Sequence, residues 1–340
     1  MNEIRRYRRF TGWDYSRGAS LFITISTEPR RAVFGKVTGD AVALSPLGVI
    51  VRDALDTMPR LNPGISLFGH VVMPDHIHFN VNIAPGLSAP LTTLGNAIRR
   101  FKNYTTKQAK LIGLAGHSPA ICNVDGQAAL GPSLLWQQGY HDHLCLSRRT
   151  IDATERYIKY NPLKWTLMHG CSPTLRIREP LSSPRLDMDD YWKGVGNTAL
   201  LASDENIVSL RVSRKVRDVA AVVARMENAV AKGWIVLSGF ISPGEKAVFE
   251  MLCRRSDARF IRIRPSCIPN ARYKPESALV APFNDNRFLE IAKGNEEIEF
   301  NRNACIGLND EIADIASATN GLALYFSEFG LKVLKRSQVS

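Results

Sequence analysis

His76 and His78 stand two residues apart in an apolar run, so in an extended strand their imidazoles leave from one face, about 7 Å apart at the backbone. Neutral imidazole is a frequent ligand for divalent metals, and two of them leave positions open for oxygen donors. Tyr157 and Asn161 are spaced i and i+4, which gives them one helical face. A phenol with the ordinary tyrosine pKa of about 10 attacks poorly at neutral pH, unless its target is a phosphate whose charge a metal has offset. The Asn161 amide oxygen is a hard donor suited to such a metal. Each pair alone also has a plainer reading, the HxH as strand packing or surface, Tyr157 as a half-buried aromatic and Asn161 as a polar helix end. Pro162 is expected to end the helix, because it disfavours the α region at the residue before it.

These residues need a scaffold, and the surrounding pattern supplies one. Leu21, Ile23 and Ile25 alternate in a strand over 20–26. A helix is expected over 46–58, strands over 65–73 and 76–83 separated by Pro74-Asp75, and a long helix over 90–111. A Gly-rich loop over 113–132, a short strand region over 134–145 and a helix after Ser147 complete the order β-α-β-β-α-β with additions. That order predicts an α+β, ferredoxin-like domain, an antiparallel sheet with helices on one face.

The run Val71-Val72-Met73-Pro74-Asp75-His76-Ile77-His78-Phe79, with Tyr157-Ile158-x-x-Asn161-Pro162-x-Lys164 about eighty residues on, resembles the REP-associated tyrosine transposases, a branch of the single-tyrosine HUH transposases. Arg100-Phe101-Lys102 and Trp136-Gln137 through Tyr140-x-Asp142-His143 also fall where that family has similar residues. The resemblance covers about residues 1–170. It implies an HUH nuclease domain in which His76 and His78, helped by Asn161, bind Mg2+ or Mn2+. It further implies that Tyr157 attacks single-stranded or hairpin DNA, leaving a covalent 5′-phosphotyrosine and a free 3′-hydroxyl. Asp142 and His143 match the family pattern and are candidates for groups behind the metal ligands, while His70 is expected to have a core or surface role.

For DNA contact, the 90–111 helix carries Leu91, Leu94, Ile98 and Phe101 on one stripe and Arg99, Arg100, Lys107 and Lys110 opposite, with Lys102 at the border. Phosphates would be met on that basic face, although a merely solvated face reads the same way. Trp136 is suited either to stacking on an unpaired base or to the core. The N-terminal tract Arg5, Arg6, Arg8 and Arg9, interleaved with Tyr7 and Phe10, is a second basic element.

The chain has 340 residues, more than one core normally serves, so two domains are expected. The net charge of +12 is uneven, since residues 1–180 hold 22 basic and 12 acidic residues and 181–340 hold 22 and 20. The polyanion partner is therefore expected in the first part. Six scattered cysteines without a CxxC pair argue against a disulfide framework or a thiolate zinc site. No apolar run is long enough to span a bilayer and no signal peptide is evident, so a soluble, cytoplasmic protein, monomer or homodimer, is expected.

A Pro- and Ser-rich stretch over 171–190 reads as an exposed connection between domains 1–180 and 191–340. Beyond it, strands at 234–238, 258–264 and 322–326 alternate with helices at 214–232 and 244–253, which predicts a Rossmann-like α/β domain with a parallel sheet. Ser242 and Gly244 sit where a strand turns into a helix and are a weak phosphate site. Ser242 and Glu245, with Pro243 between them, form a capping box that explains the same residues structurally. With Tyr273-Lys274-Pro275, Asn301-Arg302-Asn303 and Leu308-Asn309-Asp310, this part is similar to the Rossmann-like domain of DNA-processing-protein-A relatives, although the Gly-rich phosphate motif is incomplete. The expected activity is metal-dependent DNA cleavage and strand transfer. The alternatives are a domesticated, non-catalytic hairpin- or nucleotide-binding protein and an HxH metallohydrolase of small molecules.

Overall fold

A computed structural model describes residues 17–87, 90–113, 135–170, 172–268, 273–294, 302–318 and 321–334. The basic N-terminal tract and most of the Gly-rich loop lie outside them. The chain divides into two compact units, 1–166 and 167–340. The architecture mixes helices with an antiparallel sheet in the first unit and a largely parallel one in the second.

In the first unit the elements are β1 (Ala19–Ser26), β2 (Gly35–Thr38), β3 (Ala41–Leu44), α1 (Pro46–Leu61), β4 (Ile65–Val72), β5 (His76–Ile83), α2 (Pro90–Leu111), β6 (His141–Leu144) and α3 (Arg148–His169). The sheet order is β4-β5-β1-β6, antiparallel throughout, and β2 and β3 form a separate hairpin. Ser45 caps α1 by accepting from the Gly48 amide, Pro46 opens it, and Leu47, Val51, Leu55 and Met58 turn one stripe inward. Gly48 is required there, since a Cβ would sit 1.9 Å from the Phe34 carbonyl oxygen.

The two faces of this sheet differ. Leu21, Ile23 and Ile25 of β1 and Ile77, Phe79, Val81 and Ile83 of β5 join α1 and α2 in one core with Leu94, Ile98 and Phe101. The alternate residues Phe22 and Thr24 and their partners Asn80 and His78 point the other way. There they meet α3, whose Tyr157 ring packs on Phe22 and His78 and whose Ile158 covers Gly69. The expected single helical layer is thus corrected: α1 and α2 share one face and α3 takes the other. Pro162 does not end α3 either, which runs on to His169. A proline inside a helix costs about 3 kcal/mol. Burial of Ile158, Asn161 and Pro162 and a hydrogen bond from Thr166 Oγ1 to the Gly39 carbonyl, 2.5 Å, hold both halves in place.

The second unit contains β7 (Ile177–Arg178), β8 (Trp192–Gly196), β9 (Ile207–Val212), α4 (Val219–Ala231), β10 (Ile235–Ser238), α5 (Pro243–Arg254), β11 (Phe260–Ile263), α6 (Val280–Asn284), β12 (Phe288–Lys293), α7 (Arg302–Ser317), β13 (Gly321–Ser327) and β14 (Gly330–Leu334). Its sheet order is β14-β13-β9-β10-β11-β12-β8-β7. The five strands from β13 to β12 are parallel and the edges antiparallel. Steps from β9 to β12 run in one direction, so right-handed crossovers place α4 and α5 on one face. The return to β13 places α7 on the other, where Leu308, Ile312 and Ile315 pack on Ile207, Ile235, Leu237 and Ile261. The stretch expected to be an exposed connection belongs to this unit. Leu181 and Leu186 lie in its core, and buried Arg185 donates to the carbonyls of Ala202, Ser203 and Glu205.

Glu245 ties the β10–α5 turn together. It forms the capping box with Ser242, and its buried carboxylate accepts from the amides of Val212 (2.9 Å), Ile241 (2.7 Å) and Ser242 (3.1 Å). Glu245→Ala would leave two buried donors and a half-buried one unpaired. The expected loss is about 3 kcal/mol in urea unfolding of the whole chain, and a loss below about 0.5 kcal/mol would show that the turn is held otherwise.

Candidate active site

A tight turn aims the first histidine. Met73 N–H donates to the His76 carbonyl at 2.8 Å, and Thr27 donates to the Asp75 carbonyl from both its amide and its hydroxyl. The turn side chain is then fixed as well: Asp75 Oδ1 lies 2.5 Å from His76 Nδ1, and Arg30 Nη1 donates to Asp75 Oδ2 at 3.1 Å. The hydrogen bond to His76 is the main reason that the Asp75 carboxyl is held down at about 2, against the opposing effect of burial. A carboxylate on Nδ1 orients the ring and leaves Nε2 to face a ligand.

His78 is held from the neighbouring strand. Thr24 Oγ1 lies 2.8 Å from His78 Nδ1, across the β1–β5 pairing, and the Phe22 ring stacks on the imidazole at 5.1 Å. With the proton on Nδ1 donating to Thr24, Nε2 carries a lone pair. That Nε2 is buried and has no hydrogen-bond partner among the described residues. Burial, reinforced by the charges of His76 and Arg30, depresses the His78 pKa to about 3 and keeps the ring neutral, the form that binds metal. The His76 and His78 ring centroids are 4.6 Å apart at 74°. An orphaned buried nitrogen beside a second oriented imidazole fits a divalent cation. No group of three or more His, Cys, Asp or Glu is placed to hold a metal among the described residues, so a cation at this pair would need oxygen from an amide, water or phosphate to complete its set.

Helix α3 brings the phenol to this pair. The Tyr157 ring lies edge-on 5.1 Å from His78 and 5.6 Å from Phe22, and Lys164 Nζ is 5.9 Å from its centroid. Asn161 is buried one turn further along. Asp75 and Lys164 stood in the quoted motif with no role assigned to them, and Phe22 and Thr24 were not singled out in the sequence. The only signal for Phe22 and Thr24 is the alternation of β1, which becomes informative once β1 is known to adjoin β5.

Other expected site residues are redistributed by the register. His143 pairs with Phe22 and so shares the site face, whereas Asp142 pairs with Ile23 and faces the α1–α2 side. Asp142 is therefore excluded from backing His78. His70 pairs with Phe79, away from the site, with Nδ1 3.7 Å from Asp56. Trp136 is a core residue, not a stacking platform: it is 4% exposed, packs on Phe34 and Phe101, and donates from Nε1 to Thr105 Oγ1 at 2.8 Å. Lys102 is likewise occupied, donating to the carbonyls of Gln137 and Gly139, and its burial lowers its pKa to about 8. Arg99, Arg100, Lys107 and Lys110 are exposed on α2.

At the weak phosphate site the amides are taken by Glu245, and Gly244 serves packing, since a Cβ there would meet Val212 Cγ1 at 2.6 Å. Beside that turn, at the carboxyl ends of β10 and β11, a cleft of about 380 Å3 is lined by Arg214, Lys246, Arg262, Arg264, Glu276 and Glu290. Phe240 in its wall has φ +53°, a conformation that favours glycine.

The depressed His78 pKa fixes a pH dependence. The unfolded ring, with a pKa near 6.5, binds a proton that the folded ring refuses until about pH 3, so stability is full above about 6.5 and falls as pH drops through that window. Between pH 7 and 5 the metal-free protein should lose about 2 kcal/mol in urea unfolding through this group. His78→Gln should remove that slope, and an unchanged slope would assign it to other groups.

No model of a known protein family matches the chain. An uncharacterized protein of Haemophilus influenzae is 24% identical over 178 residues, spanning 47% of this chain and 89% of that protein. Among solved structures, a REP-associated tyrosine transposase bound to a REP hairpin is 19% identical, with 48% of this chain and 74% of that chain covered and a TM-score of 0.31. DNA processing protein A of Helicobacter pylori, described for its single-stranded DNA binding mode, is 11% identical over 44% of this chain and 69% of that chain, with a TM-score of 0.34.

Proposed function

We propose that the protein is a metal-dependent single-stranded DNA endonuclease and strand transferase of the single-tyrosine HUH kind, acting on hairpin-containing DNA. The observation that carries this reading is the conjunction at β5: two oriented imidazoles 4.6 Å apart, one with a buried unpartnered Nε2, and a tyrosine ring 5.1 Å from it. The strand order β4-β5-β1-β6 supports reading the first unit as a ferredoxin-like HUH domain. The five parallel strands support reading the second as Rossmann-like.

His76 and His78, with Asn161 as third protein donor, would hold Mg2+ or Mn2+, which when bound offsets the charge of the scissile phosphate. Asp75 and Thr24 keep the two rings oriented. Lys164 adds positive charge beside the nucleophile. Tyr157 Oη attacks phosphorus, its proton passing to water. The new O–P bond replaces the P–O3′ bond, and the departing 3′ oxygen takes a proton to become a hydroxyl. The phosphotyrosine conserves the bond energy, so a 3′-hydroxyl can reverse the step or join another strand without ATP.

A second reading, a DNA- or nucleotide-binding protein without cleavage, draws on the cleft of the second unit, where Arg214 and Lys246 suit an anionic ligand while Arg262 and Arg264 are paired with Glu276 and Glu290. One variant separates the two. Incubated with hairpin oligonucleotides from its own genomic flanks, the unmodified protein should form a covalent adduct with Mn2+ and none with EDTA. Tyr157→Phe should form none while binding the same hairpins. Binding without adduct in the unmodified protein would favour the second reading. On α2, Arg99→Ala with Arg100→Ala should weaken hairpin binding for all sequences alike and reduce the salt slope by about 1 per residue; an unchanged slope would move the phosphate contacts elsewhere.

A further inference from the structure

Two residues beyond His78, on the same face of β5, lies Asn80. Its side chain is completely buried, and neither amide atom has a hydrogen-bond partner among the described residues. Such a carboxamide is costly to keep, whereas leucine has the same shape without that cost. Its neighbours show what room it has. Across β1 it faces Phe22 and across β4 it faces Gly69. A Cβ built on Gly69 would meet only Ile158 Cδ1, at 3.9 Å, so the sheet leaves a gap beside Asn80 under the α3 turn. That turn also has an acceptor to spare. Pro162 has no N–H, so the Ile158 carbonyl lacks the donor that would close its α-helical bond.

We propose that Asn80 is a positioning residue for Tyr157: water held in the gap over Gly69 pairs with the Asn80 amide and donates to the Ile158 carbonyl, tying the tyrosine-bearing turn to the sheet. A gap beside an unpaired buried amide holds water where a second polar group lies within reach. Asn80 touches no reacting atom. It acts through Ile158, the residue next to Tyr157, and a small displacement of a nucleophile costs rate far more than binding. The catalytic half of this inference rests on Tyr157 being the nucleophile; the structural half does not.

Four full-length proteins test it: the unmodified chain, Asn80→Leu, Pro162→Ala and the double variant. Pro162→Ala restores an N–H at residue 162, so the Ile158 carbonyl no longer depends on water. Asn80→Leu should speed hydrogen exchange of the α3 amides around Tyr157 by about 10-fold. It should also slow formation of the Mn2+-dependent hairpin adduct by about 100-fold, while hairpin affinity stays within about 2-fold of the unmodified chain. In the Pro162→Ala background both penalties should shrink to within about 3-fold. Asn80→Ser, which keeps a donor in the gap, should recover part of the exchange protection and serves if the leucine variant folds poorly. Equal penalties in both backgrounds, or unaltered exchange in Asn80→Leu, overturn the proposal. Coupled exchange in a chain that makes no adduct would overturn the nucleophile and leave the tie through Asn80 standing.

Discussion

Strand β5 is paired on both sides, to β1 and to β4, and its two-residue period assigns every side chain to a face. Ile77, Phe79, Val81 and Ile83 fill the core under α1 and α2, and this burial pins the register. A slip of one residue would drive two imidazoles and two amides into that core and expose the aliphatic row. The apolar half of the strand therefore fixes the polar half. His76 and His78 keep their spacing because Ile77 and Phe79 cannot move, and Thr24 meets His78 only because the β1 pairing is equally fixed.

The site draws on polar groups differently from the second unit. Glu245 and Arg185 are buried and bonded to several backbone groups each, so they hold loops together. Around β5, His78 Nε2 and the Asn80 amide are buried with no hydrogen-bond partner among the described residues. A fold retains such groups at a cost in stability. In the first case the polar atoms complete the architecture; in the second the described chain leaves them unpaired.

Local patterns made much of this legible. The alternation of β1, the bounds of α2 and the Ser242–Glu245 box follow from periods and caps, and the structure has them at those residues. What escaped depended on partners distant in sequence. Nothing near Asp142 says that its strand pairs with β1 in the register that turns it from the site, and nothing near Trp136 says that Thr105 awaits its indole N–H. Pro162 misled for a different reason. A proline weakens a helix locally, and tertiary burial of the following turn outweighed it. The Pro- and Ser-rich stretch misled likewise, because Leu181, Arg185 and Leu186 are anchored by elements further along the chain.

The pairing of β1 with β6 joins Thr24 to His141, more than half the length of the first unit apart in sequence. Closing so long a loop is entropically slow, whereas β4 and β5 meet through a tight turn. In kinetic terms the two walls of the site are of unequal age. The histidine strand can be seated early by its hairpin and its core, but β6, with His143 on the site face, is added by the longest-range pairing of the sheet. Helix α3 follows β6 in the chain, so bringing the tyrosine to the histidines likewise requires a long loop to close.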